Sequence, residues 1–329
     1  MPKIDLSVQE HHAETDDGWV LRLRRTYAPT VLDPAQRPLL IVPGYGMNSF
    51  IFGYHPRGTS MERCLAEAGL EVWSVDLRGQ GGSRATHGKR SGISLERYAR
   101  GDLPAAVRYV LEHTRTDAHD LVLVGASLGG SIAYAYLATT PDHGVGELIA
   151  MGAPLRWEGA HPVLRMAFAS ETVAGALRMS NTRALVRAAL PLLLRAPGLL
   201  SMYMNTQSID LDRIQEMVST VEDPLPRVNR DIARWLRAKD LDVGGVNVTD
   251  AMGSIEVPLL VVLSNRDGIV PAPSALSAVR AWGGDEVEVL EVGDERDWYA
   301  HANLFIANCA PEKVFAPIVR WLRRRAPAA

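Results

Sequence analysis

The stretch Leu121–Gly130, LVLVGASLGG, carries the most structural information in the chain. Four apolar residues run directly into Gly125, Ala126, Ser127, Leu128 and Gly129. A short apolar run closed by small residues reads as a buried strand and a tight turn, and Ser131 to Ala138 supplies a following helix. The small neighbours tolerate a strained backbone at Ser127, which would lift its hydroxyl clear of the sheet. Two other glycine-rich turns fail on particular residues. A dinucleotide fingerprint needs glycine at position 127, and a phosphate-binding loop needs Gly-Lys-Ser/Thr where this chain has Gly129, Gly130 and Ser131. A serine that only caps the helix is the plainer alternative.

Working outward, Leu39 to Val42 reads as a buried strand that breaks at Pro43, Gly44, Tyr45 and Gly46. Upstream, Trp19 to Thr26 alternates as an edge strand behind a polar lead, in which the adjacent His11 and His12 read as solvated surface residues. Downstream, Tyr54 to Gly69 reads as a helix and Leu70 to Val75 as a strand that runs into Asp76-Leu77-Arg78-Gly79-Gln80-Gly81-Gly82-Ser83. Asp76 is suited to hold backbone N–H groups in that loop. Apolar residues at three- and four-residue spacing predict an amphipathic helix over Ser94 to Glu112, kinked at Pro104. After the Ser127 turn come a strand over Gly146 to Met151, a helical stretch without a convincing strand from Leu155 to about Asp250, and a strand over Val257 to Leu263. Val287 to Val292 is the last strand, and a helix from about Pro311 closes the chain, with Arg323 to Arg325 complementing its C-terminus.

The strand, the G-x-S-x-G turn and the helix together resemble the nucleophile elbow of the α/β-hydrolases. Around it, the D-x-R-G-x-G-x-S loop at Asp76 and the Asp267-x-x-Val270-Pro271 loop also resemble segments of that family. The region from His55 to Ser83 and the run HANLF from His301 are similar to the acid-lipase and polyhydroxyalkanoate-related branch, although Ala126 stands where lipase-like members carry His. The resemblance implies an α/β-hydrolase fold, a mostly parallel sheet flanked by helices. It places a helical cap at residues 155–250, between the core segments 1–154 and 251–329. It implies a triad in the chain order Ser, Asp, His. His301 alone of the nine histidines lies beyond the strand that delivers Asp267, so Ser127, Asp267 and His301 fill the three places. Tyr45 and Leu128 take the main-chain oxyanion-hole positions; Pro43 replaces a family His there, without consequence for backbone donors.

Composition is consistent with this reading. Among 329 residues, 47% are apolar and 22% charged, with a formal net charge of −3, so no basic field points to nucleic acid. Cys64 and Cys309 are far apart and outside any metal-ligand spacing, which argues against a disulfide framework or zinc site. The first residues lack the basic and apolar regions of a signal peptide, and the expectation is a cytoplasmic protein. The most apolar tract, Leu185 to Met204, is interrupted by Arg187, Pro191, Arg195 and Pro197, so no transmembrane segment is expected.

A serine nucleophile points to acyl-enzyme chemistry, where this fold's epoxide hydrolases and dehalogenases use aspartate. The expected function is carboxylic-ester hydrolysis, esterase- or lipase-like, on a small acyl substrate and without metal or organic cofactor. An acyltransferase with the same triad is the alternative, and a non-catalytic binding protein on a hydrolase scaffold is the third reading. Leu190, Leu192, Leu193, Leu194, Leu199, Leu200, Met202 and Met204 predict an apolar wall over Ser127, selecting an apolar acyl or alcohol portion.

Overall fold

The computed structural model describes residues 4–86, 92–176, 179–196, 198 and 200–325. Leu199 of the expected apolar wall, and Pro197, lie outside these residues. Strands β1 (Ser7–Glu14), β2 (Trp19–Tyr27), β3 (Leu39–Val42), β4 (Val72–Val75), β5 (Arg84–Ala85), β6 (Leu121–Ala126) and β7 (Val145–Met151) come first in the chain. The two-residue β8 (Asp242–Val243) and β9 (Val246–Asn247) pair with each other, and β10 (Leu259–Ser264) and β11 (Val287–Val292) complete the main sheet. Its order is β1-β2-β4-β3-β6-β7-β10-β11, with β5 alongside β2. From β4 to β11 every pairing is parallel; β2 runs antiparallel to all its neighbours.

The central strands read as uninterrupted apolar runs because both faces of the sheet are covered. Along β6, Leu121 and Leu123 enter one core while Val122, Val124 and Ala126 enter the other, and β10 alternates in the same way. The helix Leu128–Thr139 lies behind β6 and is buried over most of its length. The second core is closed by Val314, Phe315, Ile318 and Leu322 of the C-terminal helical segment, as its spacing requires.

Strand β3 sits mid-sheet. The chain leaves it for β4 on one side, then crosses to β6 on the other and continues outward. Right-handed crossovers send these connections to opposite faces, which opens a crevice beyond the C-terminal ends of β3 and β6. Tyr45 and Ser127 stand in the two loops that border it.

Several expectations need correction. The sheet edge is β1, and Trp19–Tyr27 is the second strand in; SVQEHHAE has too few apolar residues to signal a strand, yet β2 pairs with it along its whole length. His11 is consequently packed, its ring 4.8 Å from that of Trp73, rather than solvated. The helix expected over Tyr54 to Gly69 is confined to Met61–Glu67, where Ser60 caps the N-terminus through the Arg63 amide. A helical pattern cannot reveal that Pro56 and Gly58 lie in a turn, closed by a hydrogen bond from Gly58 N to His55 O. The helix over Leu95–His113 accommodates Pro104 not by a simple kink but by a π-helical turn, Tyr98–Asp102, just before it. Between β7 and β10 the described residues are mainly helical, as expected, apart from the β8–β9 hairpin.

The Asp76 loop is built as its residues suggested. Asp76 accepts hydrogen bonds from the Ser49 and Gly82 amides and from Arg22. Arg78 is fully buried and bonds Asp102 through Nε at 2.7 Å, and Asp17 through both terminal nitrogens. Among the described residues, no helix is long and apolar enough to cross a membrane.

Candidate functional site

Strand β6 delivers Ser127 into a backbone conformation of φ 54° and ψ −123°, a region that a residue with a side chain occupies only under strain. Packing holds it there. A side chain at Gly125 would lie 2.8 Å from the Gly129 carbonyl carbon, and one at Gly129 would lie 2.7 Å from the Pro43 oxygen and closer still to Val42 O. The two glycines let the turn close tightly on itself and against the end of β3. Ser127 N–H is tied to Met151 O at 2.8 Å, which fixes the turn to β7 as well.

Strand β10 ends just before Asp267, whose side chain is 1% exposed. Its Oδ1 accepts the Ile269 and Val270 amides, each at 2.8 Å, and its Oδ2 lies 2.7 Å from His301 Nδ1. His301 Nε2 in turn lies 2.9 Å from Ser127 Oγ. A carboxylate can only accept, so Nδ1 carries the proton and Nε2 is left free to receive one from the serine. Gly152, at φ 56°, leaves room for the imidazole: a side chain there would sit 3.2 Å from His301 Cε1. The three residues singled out from chain order thus form one continuous hydrogen-bonded line.

Tyr45 and Leu128 flank the same serine. Among the described residues, neither main-chain amide donates a hydrogen bond to protein. The Tyr45 ring reaches away to donate through its hydroxyl to Asn229 Oδ1 at 2.6 Å, and its phenol is pushed up to about 12 by burial.

Ser127 borders two cavities. The larger, ≈ 280 Å³, also touches His301, and its remaining wall is, among the described residues, apolar or aromatic apart from Thr220. Leu164, Phe168, Val186 and Leu190 enter that wall from between β7 and β10, Met204 and Met217 join them, and Phe305 and Ile306 follow His301. Of the apolar run expected over the site, Leu190 and Met204 line the cavity, whereas Leu192 is 68% exposed. The smaller cavity, ≈ 70 Å³, touches Ser127 and Leu128 and is walled by Trp157, Trp235 and Ile232. Tyr45, Leu164, Phe168 and Ile269 border both.

Sequence reasoning missed the two tryptophans and Phe168, since their positions in helices and turns carry no motif. It also missed Asn303. The Asn303 side chain accepts from the Asn205 and Ala300 amides and donates to Asn205 O and Ser208 Oγ, binding the 205–208 turn to the His301 loop.

The fold is shared with solved hydrolases. A soluble variant of monoglyceride lipase from Saccharomyces cerevisiae superposes with a TM-score of 0.68 at 15% identity, over 99% of this chain and 98% of that one. A thermophilic esterase from Thermogutta terrifontis gives 0.64 at 18%, over 97% and 99% of the two chains. The esterase EaEST from Exiguobacterium antarcticum also gives 0.64 at 18%, over 96% and 100%. No curated protein matches by sequence. The model of one family, the serine aminopeptidase S33 hydrolases, matches residues 39–291, from β3 nearly to the end of β11. The chain therefore belongs to this α/β-hydrolase family.

Proposed function

We propose that the protein is a serine hydrolase that cleaves carboxylic esters with an apolar portion. The observation that carries this reading is the line Asp267–His301–Ser127 opening into a cavity with, among the described residues, no ionisable lining residue except His301 and two tyrosines. Ser127 Oγ attacks the ester carbonyl carbon while its proton passes to His301 Nε2, and Asp267 stabilises the imidazolium. The carbonyl electron pair moves to oxygen, held by the amides of Tyr45 and Leu128. On collapse, the ester C–O bond breaks and the alcohol oxygen takes the proton from Nε2. Water then repeats the sequence on the acyl-enzyme, releasing the acid and restoring Ser127.

The family's description includes aminopeptidases, but an aminopeptidase must hold a substrate ammonium group. No carboxylate lines either cavity beside Ser127 among the described residues, and Asp267 is committed to His301 and two amides. An apolar ester meets no such requirement. Residues 155–250 serve in this reading as a cap that supplies part of the apolar wall.

A fluorophosphonate probe tests the nucleophile. It should label the wild type once, at Ser127, and fail to label Ser127→Ala. Unchanged labelling of the variant would put the nucleophile elsewhere, and an unlabelled, folded wild type would favour a binding protein on a hydrolase scaffold.

A further inference from the structure

Ser127 is locked between β6 and its helix and Asp267 follows directly on β10, but His301 ends a stretch, 293–302, that is neither helix nor strand. Its place has to be fixed by something other than regular structure. Residues 202–205, from the segment inserted between β7 and β10, are irregular too, so their backbone polar groups need partners elsewhere. They find them on the two catalytic loops. Met202 O accepts the Gly268 amide at 3.1 Å, one residue past Asp267, and Tyr203 O accepts the Ala302 amide at 2.8 Å, one residue past His301. The fit beside the acid is close: a side chain at Gly268 would lie 2.8 Å from Met202 O.

Asn303 completes the junction. Its side chain is fully buried and grips Asn205 by both backbone groups, Oδ1 accepting the amide at 2.7 Å and Nδ2 donating to the carbonyl at 3.0 Å. Oδ1 also accepts the Ala300 amide at 3.2 Å, and Nδ2 also donates to Ser208 Oγ at 2.8 Å. Two main-chain N–H groups face one of its terminal atoms, so that atom is the oxygen and the orientation of the amide is fixed. Asn205 in turn donates through Nδ2 to Trp298 O at 2.8 Å. Residues 298, 302 and 303, on both sides of His301, are thus bonded to a single inserted segment.

Resting on the ester-hydrolase reading above, we propose that Asn303 is a positioning residue: by clamping the 202–208 segment it holds His301 where proton transfer to and from Ser127 and the leaving oxygen can occur. Its loss lets the His301 loop relax, while the nucleophile and the oxyanion donors, held by β6 and β3, stay in place. Proton transfer then suffers more than ester binding. His301 serves twice in acylation, taking the serine proton and delivering it to the departing oxygen. A nitrophenoxide departs as an anion and needs only the first service, whereas an alkoxide needs both.

Wild type and Asn303→Ala are compared on p-nitrophenyl butyrate and benzyl butyrate, which share the acyl group and carry rings of similar size. Labelling Ser127 to completion with a fluorophosphonate counts the active sites in each preparation. Since a shift of about 1 Å in a reacting geometry costs about 100-fold, kcat/KM per active site for benzyl butyrate should fall by about that factor. The benzyl-to-nitrophenyl ratio should fall by about tenfold or more, with KM for either ester little changed. An unchanged ratio would overturn the proposal, because a merely structural asparagine lowers the active fraction and both esters fall together. Asn205→Ala supplies the test if the first variant does not fold: it removes the bond to Trp298 O and leaves the Asn303 bonds to the Asn205 backbone, and it should lower the same ratio by about twofold or more. An unchanged ratio there is equally contrary. A folded wild type that turns over neither ester and is unlabelled at Ser127 refutes the hydrolase reading itself; an active wild type with an unaffected ratio in the variants refutes only the role of Asn303.

Discussion

Replacing Gly129 by alanine should disable turnover far more than it destabilises the fold. The new methyl carbon would lie 2.7 Å from Pro43 O and closer to Val42 O, whereas a carbon–oxygen contact settles at about 3.3–3.6 Å, so one side must retreat by roughly 1 Å. Neither side is a flexible side chain. One is the first turn of the helix Leu128–Thr139, and the other is the end of β3, three residues before Tyr45. The retreat separates the Leu128 amide from the Tyr45 amide, the two donors assigned to the oxyanion. Overpacking of this kind costs about 1–3 kcal/mol of stability. A shift of about 1 Å in a reacting geometry costs about 100-fold in rate. Hydrolysis of p-nitrophenyl acetate, followed together with Tm, should show kcat reduced about 100-fold in a protein that remains folded, with a smaller change in KM. Gly253→Ala is the control, because its new methyl would meet nothing closer than 4.0 Å. A Gly129→Ala protein with lowered Tm but full kcat would refute the link between this packing contact and the oxyanion donors.

Three further outcomes follow from other parts of the molecule. His301→Ala should remove most esterase turnover while the circular dichroism spectrum is retained, because no other group is placed to take the serine proton; near-normal activity in the variant would eliminate its role as base. Burial pushes the Glu147 carboxyl up to about 7 against the opposing pull of Arg37, so the protonated form's stabilising contribution, fully present below about 4.5, is lost as the pH rises through about 7. Glu147→Gln cannot lose that contribution, and urea unfolding at pH 5 and pH 8 should show the variant gaining on wild type by up to the order of 3 kcal/mol; an unchanged difference would show that Glu147 titrates normally. Asp102→Ala leaves the buried Arg78 guanidinium with Asp17 as its remaining carboxylate, and should cost about 3–5 kcal/mol in chemical denaturation, a loss under 1 kcal/mol being incompatible with the packing described.

The features legible in the sequence are those whose cause is local. LVLV and VPLLVVL announce buried parallel strands because such strands are covered on both faces and need no alternation. The small residues around Ser127 announce a turn because a side chain at Gly125 or Gly129 would collide with the backbone that closes it. Chain order alone reduced nine histidines to His301 once the acid-bearing strand was recognised. Tertiary structure decided what depends on a partner distant in sequence. SVQEHHAE is a strand only because β2 supplies its ladder, and the Pro104 helix takes a π-helical turn whose position the apolar spacing does not encode. The leucines of the 185–204 tract are equally apolar in sequence, yet Leu190 faces the cavity and Leu192 faces solvent, since helix rotation is set by what the helix packs on. Trp157 and Trp235 meet across 78 residues of chain, and no local pattern could reveal that two indoles converge beside Ser127. Backbone preference and burial periodicity act within a few residues and survive in the sequence; the shape of a cavity depends on side chains from separate elements meeting in space, and only the folded chain specifies it.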